Sequence, residues 1–465
     1  MKPNKWFLAV GRTFVIALVF LMFASSASAE WKEQVLYSFQ GGNSDGALPV
    51  GKIVFDSAGS LYGATTQGGG QCVPSQCGTV FQLTPPAKKG DPWSETVLYI
   101  FKGFNQGGTD GSLPAGGLVI DGSGNLYGTT AYGGTGNCVL LGTKVGCGTV
   151  YELSPPSQQG GSWTETVLYS FQGGNDGYLA WGDLVFDKKG NLYGATQFGG
   201  GKGTTCNSFY GGQCGTVFEL SPPKKKGGTW TEKVLHHFAG IASGKKYGDA
   251  ESPNGGLILD ANGAIYGTSF NGGYNCQYSQ GRGCGTVFEL RPPEKEGGAW
   301  KEQLIHVFKD GNDGAGPNAG VIFGADGLLY GAAQGGAKAG GIVFRLAPAG
   351  DGWKEAVLYE FSSDTYSYIP SVALFDPSGK LYGTTETAPS PYGGSVFRLE
   401  PSAGKGNQWA ISFLHEFKSG QDGANPGPCL LRDKSGDLYG TTAQGGGGGG
   451  GSCRAYCGTV FEVSH

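Results

Sequence analysis

The chain has 465 residues, 90 of them glycine, with 38% hydrophobic residues and a formal net charge of −4. A mildly acidic chain without a basic stripe is a poor match for a polyanion, which argues against nucleic acid as a partner. The glycines fall in pairs between β-rich runs and long amphipathic helical patterns are absent, which excludes a helical bundle and argues against disorder.

Residues 1–29 stand apart from the rest. Lys2, Lys5 and Arg12 make a basic start, Phe14 to Phe23 is an apolar run, and Ala27-Ser28-Ala29 fits a small-residue cleavage site. This predicts a secretory signal peptide cut before Glu30; the apolar run is short for a membrane anchor. Cleavage removes three basic residues and leaves 30 Lys+Arg against 37 Asp+Glu, a mature charge of −7. The expected location is secreted, in the periplasm or the medium, with no membrane association after cleavage.

Residues 30–465 repeat one unit. Leu-Tyr-Gly, once Ile-Tyr-Gly, places tyrosines at Tyr62, Tyr127, Tyr193, Tyr266, Tyr330, Tyr382 and Tyr439, seven copies. Each unit carries four strand-like runs. The first is short and apolar, as in Leu118-Val119-Ile120, and suits a strand covered on both faces. An Asp-x-x-Gly turn leads to the second, Asn125 to Thr130, and a loop then leads to the third, Gly148 to Leu153. A Pro- and Gly-containing break precedes the fourth, Trp163 to Phe171, whose Val167, Tyr169 and Phe171 alternate onto one side as in an outer strand.

Ten of the eleven cysteines form local couples: Cys72/Cys77, Cys138/Cys147, Cys206/Cys214, Cys276/Cys284 and Cys453/Cys457. Every couple lies between a second run and the third run that follows it. One repeated structural address predicts hairpin-loop disulfides formed in an oxidising compartment, each contributing roughly 2–3 kcal/mol by the chain-entropy argument. A metal or iron–sulfur site would need ligands from several repeats to converge, so none is expected. Cys429 has no mate and reads as a buried free thiol.

Four antiparallel strands per unit, seven times over, predict an all-β fold: a seven-bladed β-propeller of four-stranded blades. The mature chain opens with a fourth-type run, Trp31 to Phe39, and closes with a third-type run, Gly458 to Val463. Neither end holds a whole blade. The N-terminal strand is therefore expected to pair with the C-terminal three-stranded unit, closing the ring and removing its exposed edges.

In such a ring the fourth-to-first and second-to-third connections share one rim. That rim carries a recurring aspartate, at Asp45, Asp110, Asp176, Asp313 and Asp422, each followed by glycine, with Asp249 the counterpart in the fourth unit. The set reads as turn residues and is also the candidate ligand set, since carboxylates around a mouth can hold sugar hydroxyls or a cation. Glu251, beside Asp249, is the acidic residue that departs from the repeat. Aromatic residues of the loops, among them Tyr132, Phe198 and Phe270 with Trp181 nearby, are candidates for stacking on sugar rings. His236, His306 and His415 occupy the outer-strand slot filled elsewhere by Tyr37, Tyr99, Tyr169 and Tyr359. On separate blades they stand too far apart to share an ion. Gly42-Asn43-Ser44-Asp45-Gly46 matches a nucleophile elbow by letters alone, because no helix follows it.

The recurring segments Gly124 to Thr130, Gly148 to Leu153 and Val167 to Phe171 resemble the GloVer tandem-repeat family, also described as choice-of-anchor tandem-repeat proteins. The resemblance covers residues 31–463 and implies an exported bacterial protein, often held at the surface by a C-terminal sorting signal. It carries no catalytic residues over. The last blade strand runs to His465 without an anchor, so release is expected in place of covalent attachment. The expected function is a monomeric, non-catalytic binding or scaffold protein without a cofactor, recognising carbohydrate or a surface protein. The alternative is a polysaccharide-acting hydrolase or lyase using loop carboxylates. An enzyme of that kind should show one or two carboxylates in a deep central pocket, out of step with the other blades.

Overall fold

The computed structural model describes residues 30–465 except 71–76, 89, 104–108, 141, 159, 201–213, 226, 242–247, 275, 277–281, 296, 351, 363–367, 389–392, 403–407 and 448–456. The segment expected to be a signal peptide lies outside the described residues. The remainder forms seven small antiparallel sheets of four strands arranged as a seven-bladed β-propeller. The blades are numbered in chain order from the one that begins at Gly46. Blade 7 is the composite one: Lys32–Ser38 pairs antiparallel with Thr459–Ser464, in register from Lys32 opposite Ser464 to Ser38 opposite Thr459. The N-terminal strand thus becomes its outermost strand, as expected.

The Leu-Tyr-Gly motif has a steric cause. In every blade the aromatic residue of the third strand lays its ring tip over the motif's glycine. A Cβ on Gly194 would stand 2.5 Å from Phe218 Cζ, and one on Gly63 2.5 Å from Phe81 Cζ. The same collision recurs for Gly267 with Phe288 and Gly440 with Phe461. In blades 1, 2, 3, 5 and 6 the motif's tyrosine points the other way and ties down the preceding turn, whereas Tyr266 of blade 4 donates to Glu289. Tyr62 donates its hydroxyl to Asp56 Oδ2 at 3.0 Å, while Asp56 Oδ1 accepts the Ala58 and Ser60 N–H groups. These Asp-x-x-Gly elements are therefore self-contained Asx turns.

Adjacent blades are fastened by a ring of aromatic pairs. The phenylalanine ending each outer strand packs on the third-strand aromatic of the next blade: Phe39 on Phe81, Phe101 on Tyr151, Phe171 on Phe218, Phe238 on Phe288, Phe308 on Phe344, Phe361 on Phe397 and Phe417 on Phe461. Ring centroids lie 5.0–5.4 Å apart. All fourteen rings are almost completely buried. Burial of such rings dominates a core of this kind. Tyr151 is the one tyrosine in this third-strand position, and its hydroxyl is buried without a hydrogen-bond partner among the described residues. An orphaned buried hydroxyl costs about 1–3 kcal/mol. Tyr151→Phe, which installs the residue used in the other six blades, should raise the unfolding free energy by about that amount in denaturant titration. An unchanged or lower midpoint would contradict this.

The outer strands depart from strict alternation. Each carries a bulge, so that register passes from Val150 opposite Tyr169 to Tyr151 opposite Val167, and Leu168 between them turns into the core. The inner strands are half-buried where full cover was expected, because one of their faces lines the central throat. They also carry a residue in left-handed conformation near their start, with φ 56° at Leu48, 57° at Leu113, 56° at Leu179 and 55° at Ser252. L-residues avoid this region. What it secures here is an inter-blade bond: Leu48, Leu113, Leu179 and Ser252 donate their N–H to the carbonyls of Cys457, Cys77, Cys147 and Cys214. Each cysteine named is disulfide-bonded.

Two of the expected disulfides are fully described, Cys138–Cys147 and Cys276–Cys284. Cys77, Cys214 and Cys457 are bonded, and their expected mates Cys72, Cys206 and Cys453 lie outside the described residues. The loops and links do share a rim: Gly69 of the second-to-third loop donates to the Asp45 carbonyl at 2.9 Å.

Candidate functional site in the central cavity

The rim aspartates are distributed one to a junction. Tyr37 donates to Asp45, Tyr99 to Asp110 and Tyr169 to Asp176, at 3.1, 2.8 and 2.8 Å. The same carboxylates accept backbone N–H groups from Gln40, Lys102 and Gln172. Where the outer strand offers histidine, His306 Nε2 lies 3.4 Å from Asp313 and His415 Nε2 3.5 Å from Asp422. Asp249 accepts from the Ala239 and Ala250 N–H groups and belongs to the same series.

A third member, a glutamate at the start of the next blade's outer strand, stands beside each aspartate. Burial first and the aspartate second push Glu95, Glu165 and Glu232 up to about 7, with Asp45, Asp110 and Asp176 as their respective neighbours. Glu33, beside Asp422, is raised in the same way. The junction of blades 5 and 6 has Ile411 in the glutamate position, and its link carries no Asp-Gly pair in the sequence.

Of the expected ligand residues, the rim aspartates, Glu251, Tyr132, Phe198 and Phe270 do not line the central cavity, whereas Trp181 does. Glu251 is completely buried within its strand, Phe198 packs against Tyr178 with centroids 5.6 Å apart, and Tyr132 and Phe270 are half-buried.

The throat itself holds a cavity of about 500 Å³, running from Glu386 and Ala443 near the cysteine-loop rim to Val119 and Phe186. Its walls come from the inner strands, so the repeat should make it sevenfold, and it is not. At the position where blades 2, 4 and 5 carry Gly117, Gly256 and Gly320, blade 3 carries Asp183, blade 1 Lys52 and blade 7 Cys429, and these last three line the cavity. Two residues earlier, blade 3 has Trp181 where blades 1 and 2 have Val50 and Ala115.

Asp183 is held in place from two sides. Its Oδ1 accepts the Gly117 N–H at 2.5 Å, and its Oδ2 lies 3.8 Å from Cys429 Sγ. Blade 4 makes room for it: a Cβ on Gly256 would stand 3.3 Å from the aspartate's own Cβ. Burial, then the Asp183 carboxylate, pushes the Cys429 thiol up, so the thiol stays protonated and serves as a donor. Cys429 is a free thiol as expected, but half-buried and part of the cavity wall.

Above this level the wall is lined with amides. Asn254 Nδ2 donates to Asn318 Oδ1 at 3.3 Å, and Gln197 Nε2 to Asn254 Oδ1 at 3.4 Å. Glu386 closes the opposite side on blade 6, at the position occupied by Thr66, Ala131 and Ala443 in other blades. Burial raises its carboxyl. Trp181 keeps 36% of its surface exposed. An exposed indole, two amides and two carboxylates that break the repeat around one cavity can stack on one face of a pyranose and bind hydroxyls at its edge.

A family model for the Gloeobacter/Verrucomicrobia repeat matches residues 21–205 and 202–461. No curated protein matches the chain by sequence. Among solved structures, a polysaccharide lyase, an ulvan lyase bound to GlcA(1-4)Rha3S, is 9% identical with a TM-score of 0.51, covering 92% of this chain and 95% of its own. A protein from Lactobacillus plantarum is 11% identical with a TM-score of 0.47, over 78% of this chain and 84% of that one. The PQQ-bound aldose sugar dehydrogenase from Streptomyces coelicolor is 12% identical with a TM-score of 0.39, over 94% and 98%. At these identities the likeness speaks to the fold alone.

Proposed function

The chain belongs to the Gloeobacter/Verrucomicrobia repeat family, and from that premise we propose an exported carbohydrate-binding protein whose site is the central cavity. The observation that carries this reading is the departure of blade 3 from its own repeat: Trp181 and Asp183 face the throat where blade 2 places Ala115 and Gly117 and blade 4 places Asn254 and Gly256. A cavity of about 500 Å³ falls in the usual range for a small ligand and suits one or two sugar residues. The disulfides favour action outside the cytoplasm.

The test is a glycan and polysaccharide screen followed by calorimetry. Trp181→Ala should weaken the best ligand by about 10- to 100-fold, the loss of one stacked aromatic anchor, while leaving thermal stability unchanged. Equal affinity in the variant would remove the cavity from consideration.

One observation favours a second reading, an enzyme acting on polysaccharide. Asp183 and Glu386 are carboxylates out of step with the other blades, and burial favours the protonated form of Glu386. A carboxylic acid kept protonated can serve as a general acid. Product analysis on the polysaccharides that bind separates the two readings. Turnover abolished by Glu386→Gln supports the enzyme, whereas binding without turnover supports the binding protein.

A further inference from the structure

The histidines of the outer strands stand on separate blades, yet each meets acidic partners of its own. Between blades 4 and 5, His306 Nε2 lies 3.4 Å from Asp313 Oδ1 and 3.9 Å from Glu355 Oε1. One ligand atom from each of the three residues lies within 4.8 Å of the others. His236, Asp249 and Glu302 group in the same way between blades 3 and 4.

The His306 set is largely enclosed, with side-chain exposures of 14%, 24% and 13% for His306, Asp313 and Glu355. His306 Nε2 and Glu355 Oε1 are buried and accept or donate no hydrogen bond among the described residues. Asp313 is oriented by its other oxygen, which accepts the Lys309 N–H at 2.8 Å. The imidazole is fixed edge-on by Phe308, with ring centroids 4.5 Å apart. Burial, then Asp313, pushes the Glu355 carboxyl up, while the Lys309 ammonium, on an exposed side chain, favours the carboxylate.

Donors bound at roughly 2.0–2.2 Å to one tetrahedral ion stand about 3.4 Å from each other. The two measured separations from His306 therefore need little closing movement. Two carboxylates brought this close in a mostly enclosed junction need either a shared proton or a cation between them.

We infer that His306, Asp313 and Glu355 bind a divalent cation of the zinc type that bridges blade 4 to blade 5. One imidazole with two carboxylates suits zinc, whereas calcium would need six or more oxygens. The four junctions with tyrosine in this slot lack the feature, because a phenol must lose its proton to ligate. Burial and the neighbouring aspartates push Tyr37, Tyr99 and Tyr169 further from doing so.

The repeat itself supplies a gentle test variant. His306→Tyr installs the residue found in this slot at Tyr37, Tyr99, Tyr169 and Tyr359, so the fold should survive. Full-length secreted protein is stripped with a chelator, dialysed against Zn²⁺ and assayed for bound metal and melting temperature. The wild type should retain zinc and melt higher than in chelator. His306→Tyr should retain one equivalent less and show a smaller zinc-induced rise, with its melting temperature in chelator unchanged. Glu355→Gln provides the same readout should the tyrosine variant fail to fold. Cys429→Ser should leave the stoichiometry intact, since the thiol is not a ligand. Absence of retained zinc in the wild type, or unchanged stoichiometry in both junction variants, would overturn the assignment.

Discussion

A chain of residues 41–465 should lose its cooperative unfolding transition and aggregate, while one of residues 30–465 melts sharply. Lys32–Ser38 supplies every backbone partner on the outer side of Thr459–Ser464. Within and beside it, Leu36 is 6% exposed and Phe39 0%, and Phe39 completes the aromatic pair with Phe81 of blade 1. Losing one buried phenylalanine costs about 3–5 kcal/mol and one buried leucine about 2–5 kcal/mol. Together they approach or exceed the ~5–15 kcal/mol that separates folded from unfolded domains. The deletion also strips Phe461 and Val463 of cover and exposes a strand edge prone to aggregation. Calorimetry decides the matter: a sharp transition within a few degrees of the intact protein would show that blade 7 does not need its fourth strand. A synthetic peptide spanning residues 30–40, added in trans, should restore part of the transition.

The melting temperature should also fall as pH rises from 5 to 7.5. Glu95, Glu165 and Glu232 titrate near 7 in the folded protein, raised by burial and by Asp45, Asp110 and Asp176, against an ordinary value of 4.5. A carboxyl raised by folding binds its proton more tightly when native. Its contribution is therefore complete below about pH 4.5 and is lost as pH rises through about 7. All three groups keep contact with water, which reduces the effect to on the order of 1 kcal/mol each. His237 and His415, lowered chiefly by burial, act in the opposite sense, losing stability as pH falls below 6.5. The triple variant Glu95→Gln, Glu165→Gln, Glu232→Gln isolates the glutamates, because the amide resembles the protonated acid. It should show a flatter pH profile and melt higher than the wild type at pH 7.5. A wild-type profile that rises with pH and is untouched by the triple variant would refute this reading of the junctions.

Most of the architecture was legible in the sequence because the repeat states each packing rule seven times. The order of runs at the two ends specified the closure later seen between Lys32–Ser38 and Thr459–Ser464. The cysteine couples marked the loops whose terminal carbonyls receive the left-handed Leu48, Leu113 and Leu179. Strand alternation alone did not reveal the bulge at Leu168, since a single extra residue leaves the apolar pattern nearly intact. The throat was harder to read. Asp183 occupies a position that the neighbouring copies fill with glycine, and Glu386 one that the other copies fill with threonine, alanine, glutamine or phenylalanine. Aligning the copies exposes both departures, but periodicity does not say which inner-strand positions face the axis. Glu251 also departs from the repeat, yet it is completely buried within its strand. The junction clusters were hidden for another reason: their glutamates belong to the next unit, 49 to 66 residues beyond the partner histidine or tyrosine, and for His415 the glutamate is Glu33 near the other end of the chain.

The decisive measurement returns blade 3 to its repeat. In Trp181→Ala with Asp183→Gly, the cavity wall takes the residues that blade 2 uses at Ala115 and Gly117. Wild-type and double-variant proteins are passed over the same glycan array and then titrated with the best ligand. Carbohydrate binding by the wild type that disappears in a variant of equal melting temperature is the predicted result; the same glycans bound with the same affinity by both proteins would contradict it.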